Sequence, residues 1–482
     1  MSNYNFDIGV IGGGAAGLTV TAGASQLGAK TVLIEKEERL GGDCLHYGCV
    51  PSKTLIKTAK VYHLINRAAD FGLPSAKIEP VDFRQIRTRI LSVIDIIQKN
   101  DSPERFCALG AKVEFGLPVF IDEHTVKVEG KTYNARNWVI ATGSSSVIPK
   151  IDGLSSQTCI TNKEVFYLDE LPRSMIILGA GPIGVEMAQA FCRLGTKVTL
   201  LEKASQILPQ EDIDMANILM DILRKEGVTV YLNCEVKRVD IKGQEKDVYI
   251  NISGSSICLK SSVILAASGR KANIEDMGLD RINIEFQGNA IKVDKRLRTN
   301  HKHIYAAGDV NGVYPFTHAA GYEGGVVVSN AVFRMPRKVN YKYMPRCTYT
   351  DPEFACIGMN EKTLKAANIN YTSWSEDFHS NDRSLAEGYE AGKIKMLLDE
   401  KGKTPLGVQI LYHHGGEILS QWVSILNGGV SLSSVASSVA AYPTLSEINK
   451  KVAAKYYSTK IFSNKVNKAL KFLFNLKGRA CE

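Results

Sequence analysis

The chain opens on an apolar run, Phe6-Asp-Ile-Gly-Val-Ile11, too short for a helix and continuous enough for a strand buried on both faces. Glycines follow at Gly12, Gly14 and Gly17, then a helical stretch to Gly28, then a second apolar run, Thr31-Val-Leu-Ile-Glu35, closed by an acid. The pattern predicts strand, tight turn, helix and strand, the setting in which such a glycine turn binds a dinucleotide. The first glycine makes the turn, the second admits backbone to a pyrophosphate, and the third lets helix pack on strand. The phosphate then sits on the helix N-terminus. Glu35, 23 positions beyond Gly12, falls where a ribose hydroxyl is held.

The same pattern returns later. Residues 177–204, which carry Gly179, Gly181, Gly184, Glu186 and Glu202, align without a gap on residues 10–37, and Glu202 again stands 23 positions beyond its first glycine. Two copies predict two bound dinucleotides, because each unit has one crevice for one ligand. A carboxylate at Glu202 repels a 2′-phosphate and favours NADH, while neighbouring Lys203 keeps NADPH open.

Between the copies lies Gly41-Gly42-Asp43-Cys44-Leu45-His46-Tyr47-Gly48-Cys49-Val50-Pro51-Ser52-Lys53. One helical turn or bend brings sulfurs at this offset to disulfide distance, and the residues after Cys49 are apolar enough to back a flavin ring. Two cysteines so spaced also occur simply as core residues. The flanking fingerprints favour a redox pair, with a flavin on the first copy and a nicotinamide on the second.

At 482 residues, with 44% hydrophobic and 23% charged positions, the chain predicts a soluble protein of about three or four domains. No apolar run approaches the roughly 18 residues of a membrane span. The first strand begins within six residues of Met1, which leaves no room for a leader and predicts a cytoplasmic protein. Cysteines 107, 159, 192, 234, 258, 347, 356 and 481 show no metal spacing or regular framework, so no metal site is expected and a reducing compartment is.

The Gly-Gly-x-Cys-x4-Cys-x-Pro-Ser-Lys stretch with two flanking fingerprints resembles the pyridine nucleotide–disulfide oxidoreductases, among them lipoamide dehydrogenase, glutathione reductase and mercuric reductase. Ala141-Thr142-Gly143, Ala267-Ser-Gly269-Arg270, Tyr305-Ala-Ala-Gly308-Asp309 and Tyr349-Thr-Asp-Pro-Glu353 resemble later segments of that family in the same order. The resemblance implies an α/β protein with two Rossmann-like dinucleotide-binding domains, for FAD and NAD(P), plus an α+β C-terminal dimerisation domain. The domains expected are 1–150 (FAD-binding, first part), 151–272 (NAD(P)-binding), 273–340 (FAD-binding or central, second part), 341–460 (dimerisation) and 461–482 (basic tail).

It further implies FAD and NADH or NADPH as cofactors, and a homodimer whose active sites draw on both chains. Cofactor contacts carry over to Gly12, Gly14, Gly17, Glu35, Lys36, Gly42, Lys53, Gly116, Thr142, Gly143, Gly179, Gly181, Gly184, Glu202, Gly269, Gly308 and Asp309. By resemblance Cys49 faces the flavin and Cys44 is the thiol that meets the acceptor, while Lys53 reaches the flavin and pairs with Glu186. Two positions depart from the family pattern: Pro182 stands where some members carry a gating tyrosine, and His46 where many carry asparagine. His46 either lowers a thiolate pKa or simply packs.

The largest departure is Ala441-Tyr442-Pro443-Thr444-Leu445-Ser446-Glu447, where dithiol-processing members carry a histidine base at the position of Tyr442. Reference pKa values differ by roughly 3.5 units, or about 5 kcal/mol, so a phenol is a poor base near neutrality. Mercuric reductases carry tyrosine near this position, since a soft metal held by thiolates needs no proton abstraction. The acceptor expected is therefore a soft metal ion or a thiol/disulfide, with dihydrolipoyl oxidation as the alternative and Tyr442 and Glu447 as catalytic candidates.

From Ile448 onward nine cations face the single acid Glu482, which accounts for nearly all of the chain's net charge of +9. On a helical wheel Val466, Leu470, Leu473, Phe474 and Leu476 share one side, with Lys468, Lys471 and Asn475 on the other. A basic amphipathic helix suggests peripheral contact with a membrane surface or a partner. The plainer alternative is that its apolar face packs on its own subunit. Nucleic acid is not expected, because no aromatic platform accompanies the basic stretch. A second class of function, a docked flavoprotein with mainly an interaction role, rests on this tail and the absent histidine alone.

Overall fold

The computed structural model describes residues 4–389, 391–402, 404–478 and 480. The chain divides into two compact units, one built from residues 1–64, 77–204 and 227–341, the other from 65–76, 205–226 and 342–482.

In the first unit, the strand Phe6–Ile11 lies between Thr31–Glu35 and Lys131–Ile140, all parallel. Ala111–Phe115 extends the sheet beyond Thr31–Glu35, and Ile304–Ala306 pairs with Lys131–Ile140, also in parallel. Antiparallel Thr125–Val128 and Val119–Phe120 continue the other edge. The apolar runs are strands because a parallel sheet is covered on both faces; Val10, Val32, Leu33 and Ile34 have no exposed surface. Gly9 lacks a side chain for a packing reason, since a Cβ there would meet the buried Trp138 ring at 2.2 Å.

The second fingerprint copy builds a four-stranded parallel sheet in the order Thr229–Tyr231, Lys197–Leu201, Ser174–Leu178, Val263–Ala266. An antiparallel ladder, Cys234–Lys242, Glu245–Ile252 and Ser255–Ser261, joins its last two strands in sequence.

The second unit is centred on a five-stranded antiparallel sheet: Arg346–Thr348, Glu353–Gly358, Pro405–Tyr412, Lys393–Asp399 and Tyr371–Asp377. The helices Gly415–Gly428 and Glu447–Ile461 pack a core of Trp422, Ile418, Ile448, Val452 and Tyr456 with it. The Trp422 indole donates to Asn449 Oδ1 at 2.8 Å, which satisfies both buried polar groups.

The amphipathic stretch is a helix over Asn464–Phe474, shorter than the wheel assumed. Asn475 ends it in the left-handed conformation (φ 49°), so Leu476 lies beyond the helix. No residue of the helix is buried, and Val466 on its apolar face is half-buried. Arg479, Cys481 and Glu482 lie outside the described residues.

Candidate functional site

The two fingerprints are built alike bond for bond. Gly12 and Gly179 have φ of 105° and 104°, a region that favours glycine, and each amide donates at 2.8 Å to the end of its second strand. A Cβ on Gly17 or Gly184 would stand 1.9 Å from the carbonyl of Gly12 or Gly179, so helix and turn touch only because both lack side chains. Glu35 accepts from the Gly13 amide at 2.6 Å and the Glu37 amide at 2.9 Å; Glu202 accepts from Ala180 at 2.7 Å and Ala204 at 2.8 Å. The helices Ala15–Gln26 and Pro182–Leu194 start at glycine N-caps without a side-chain cap, leaving their first amides to serve a phosphate. Both cradles fit a dinucleotide.

The redox stretch grows out of the first cradle. Gly41 donates to the Gly13 carbonyl at 2.8 Å, and Gly42 lies so close that a Cβ would meet Gly14 Cα at 2.8 Å. Cys44 lies on the short helix Gly42–His46, and Cys49 begins the long helix Cys49–Asn66. Gly48 lets the two helices meet, since a Cβ there would approach the Asp43 carbonyl at 2.9 Å.

Both thiols are free, and each shifts the ionisation of the other. A hydrogen bond from Cys44 pulls the Cys49 pKa down to about 6, with help from the Thr317 hydroxyl and the Lys53 charge, against burial and the opposing charge of Glu186. The helix N-terminus beneath Cys49 favours its anion too. The same bond, with burial and repulsion from Cys49, pushes the Cys44 thiol well above its usual range. The two shifts run in opposite directions, favouring the anion at Cys49 and the protonated thiol at Cys44.

Lys53 donates to Glu186 Oε2 at 2.9 Å, and Glu186 is almost wholly buried, so the predicted pair is formed. His46 does not face the thiols. Its Nε2 bonds the Leu40 carbonyl at 2.9 Å in a buried position, which is the packing outcome. Pro182 fills the first position of its helix, where a missing N–H costs nothing. Lys36 stands exposed beside Glu37, and Gly116 takes φ 136° as its amide donates to the Glu35 carbonyl.

Thr317, Asn273, Ser144 and Glu323 carried no sequence signal. Thr317 Oγ1 lies 3.5 Å from Cys49 Sγ across 268 positions of chain. Asn273 clasps Thr142, donating to its carbonyl at 2.9 Å and accepting its hydroxyl at 2.7 Å. Arg270, just after Gly269, bonds Ser144 Oγ at 2.8 Å and Asp43 Oδ2 at 3.0 Å, while Ser144 donates to Asp309 at 2.6 Å. Burial pushes the Asp309 carboxyl up, opposed by Ser144 and the Arg270 charge. Glu323, fully buried, accepts from the Gly308 amide, Asn311 Nδ2 and Tyr341.

In the second unit, Tyr442 is 71% exposed and donates to Asp382 Oδ2 at 2.7 Å. That bond pushes the phenol pKa up. Glu447 is the first residue of its helix.

The pyridine nucleotide-disulphide oxidoreductase model matches residues 6–324, and the dimerisation domain of the same family matches 344–453. The chain belongs to the pyridine nucleotide-disulphide oxidoreductases. Members of this family are flavoprotein oxidoreductases that use FAD and NAD(P)H, and the dimerisation domain supports a homodimer. A dihydrolipoyl dehydrogenase of Bacillus subtilis (strain 168) is 32% identical over 455 residues, covering 91% of this chain and 96% of that protein. A mercuric reductase of Lysinibacillus sphaericus is 28% identical over 444 residues, covering 92% and 81%. Among solved structures, the HOCl-induced flavoprotein disulfide reductase RclA from Escherichia coli, in a Cu(II) complex, has a TM-score of 0.83 at 26% identity, covering 94% of this chain and 99% of its own. Among the described residues, no helix is long and apolar enough to cross a membrane.

Proposed function

We propose that this oxidoreductase delivers two electrons from NAD(P)H, by way of the Cys44–Cys49 pair, to a soft-metal (mercuric-type) or thiol/disulfide acceptor. Residues 1–150 and 273–340 would hold FAD, 151–272 NAD(P)H, 341–460 the subunit interface, and 461–482 a separate basic tail, in a cytoplasmic enzyme. Bound FAD supplies hydride acceptance and two-electron transfer. The protein's own residues set charge and proton. Reduction of the disulfide takes two electrons and one proton and leaves Cys49 as thiolate and Cys44 as thiol. Lys53 steadies the negative charge at Cys49, and Glu186 fixes the lysine. Asp309, Thr142 and the glycines of the first fingerprint would contact the flavin nucleotide, and Gly179, Gly181, Gly184, Glu202 and Gly269 the nicotinamide.

The choice of acceptor is supported by the Tyr442 hydroxyl, committed as a donor to Asp382 and raised in pKa. Such a group does not take the Cys44 proton. A soft metal displaces that proton itself as it binds sulfur. The mercuric reductase relative points the same way; the dihydrolipoyl dehydrogenase relative points to the alternative. The test is a turnover screen of the FAD-loaded enzyme with mercuric ion, glutathione disulfide, dihydrolipoamide and quinones. Mercuric or disulfide turnover is expected to dominate, and Tyr442→His is expected to raise dihydrolipoamide turnover by about 10². A high dihydrolipoamide rate in the native enzyme, lost in Tyr442→Phe, would refute the argument.

A further inference from the structure

The helix Asn464–Phe474 has no place in the redox machinery and no cover. Ser463 caps it by accepting from the Val466 amide, Asn475 terminates it, and between them no side chain is buried. Phe472 is 88% exposed, Leu473 69%, Phe474 67%, and Phe462 just before the helix 73%. At 100° per residue, Ala469, Leu473, Val466, Leu470 and Phe474 fill one arc of about 140°. Lys465, Lys468 and Lys471 lie on the opposite side, with Phe472 among them. Residues 461–478 contain four lysines and no acid. The helix before it, Glu447–Ile461, is fixed in the core by Ile448, Val452, Ala453 and Tyr456, so the exposed segment starts from a rigid base.

We propose that this helix is an interfacial anchor that seats the enzyme on an anionic lipid bilayer. Contiguous exposed apolar surface marks an interaction site, and three features choose the occupant. The charge is of one sign, complementary to anionic headgroups and positioned beside the apolar arc, the arrangement by which amphipathic helices lie in the bilayer interface. Eleven residues are too few to span a membrane, which takes about 20, so the helix lies in the plane of the surface. The family's dimerisation match ends at residue 453, and 94% of this chain already covers 99% of RclA. The segment lies beyond the family's dimerisation match.

The test is flotation of the full-length FAD-loaded enzyme with vesicles of phosphatidylcholine alone or mixed with phosphatidylglycerol, at low and high salt. Binding is expected to the anionic vesicles at low salt only. Lys468→Glu/Lys471→Glu should weaken it by at least about fivefold per lysine, and Leu473→Glu/Phe474→Glu should abolish it. Flavin content, solution turnover and dimer mass by light scattering should be unchanged in both variants. No flotation on anionic vesicles, or equal flotation of Leu473→Glu/Phe474→Glu, overturns the proposal. A shift of that variant from dimer to monomer also overturns it, by assigning the face to a second copy of the chain. None of these outcomes depends on the identity of the electron acceptor.

Discussion

The division of charge between the two sulfurs predicts what happens when Cys44 is removed. In Cys44→Ala the bond that contributes most to lowering the Cys49 pKa is gone, while the Thr317 hydroxyl and Lys53 remain and burial still opposes them. With a pKa of about 6, roughly nine-tenths of Cys49 is thiolate at pH 7; near the ordinary 8.5 the fraction is about 3%. The variant should fall between these limits, with its ionisation midpoint raised by at least about one unit and Cys49 alkylation at pH 7 slowed by about two- to thirtyfold. Cys44→Ser, which keeps a donating hydroxyl, should recover part of the effect. The assay is iodoacetamide labelling of the reduced enzyme across pH, with Cys49 followed by peptide mass spectrometry, because Cys107 and Cys258 are exposed and would confuse a total thiol count. An unchanged midpoint in Cys44→Ala would refute the reasoning and move the cause to Lys53 or the helix terminus.

Gly184→Ala puts a methyl 1.9 Å from the Gly179 carbonyl; overpacking of this kind costs about 1–3 kcal/mol. NADH affinity by fluorescence titration should fall about tenfold or more while bound flavin is retained, and unchanged affinity would count against the second cradle. Arg270→Met leaves Asp43 and half-buried Asp309 without their cation, so flavin should be released at lower urea and stability fall by about 2 kcal/mol. The His303 ring stacks on His124 at 4.1 Å, and burial followed by His124 lowers its pKa. The fold thus resists a proton that the unfolded chain accepts near pH 6.5. Stability from this site is present above that pH and lost as pH falls, so His303→Phe should flatten the decline in melting temperature between about pH 7 and 5. Parallel declines in the two proteins would dismiss the pair as the cause.

The two fingerprint units were legible because each signal is local: an apolar run, glycines at fixed offsets, and a terminal acid within 28 residues. The Lys53–Glu186 pair was reached through family likeness, since nothing in either residue points across 133 positions to the other. Thr317, Asn273 and Glu323 escaped for the same reason, because a threonine or an asparagine shows no spacing of its own and gains its role only when distant segments converge. His46 lay in the right segment, but which way its ring turns depends on the Leu40 carbonyl, which no pattern reveals. The tail helix was visible as a wheel of apolar and basic positions; its early end at Asn475 depended on one backbone conformation.

The contact between Gly41-Gly42 and Gly13-Gly14 has a bearing on how such proteins are inherited and recombined. Gly41 donates to the Gly13 carbonyl and Gly42 abuts Gly14, which ties the nucleotide turn and the cysteine stretch into one block from Phe6 to Lys53. Chimeras that cross over inside it, between Gly17 and Gly41, join glycine turns selected apart and should yield flavin-free protein, whereas junctions placed after the block should be tolerated.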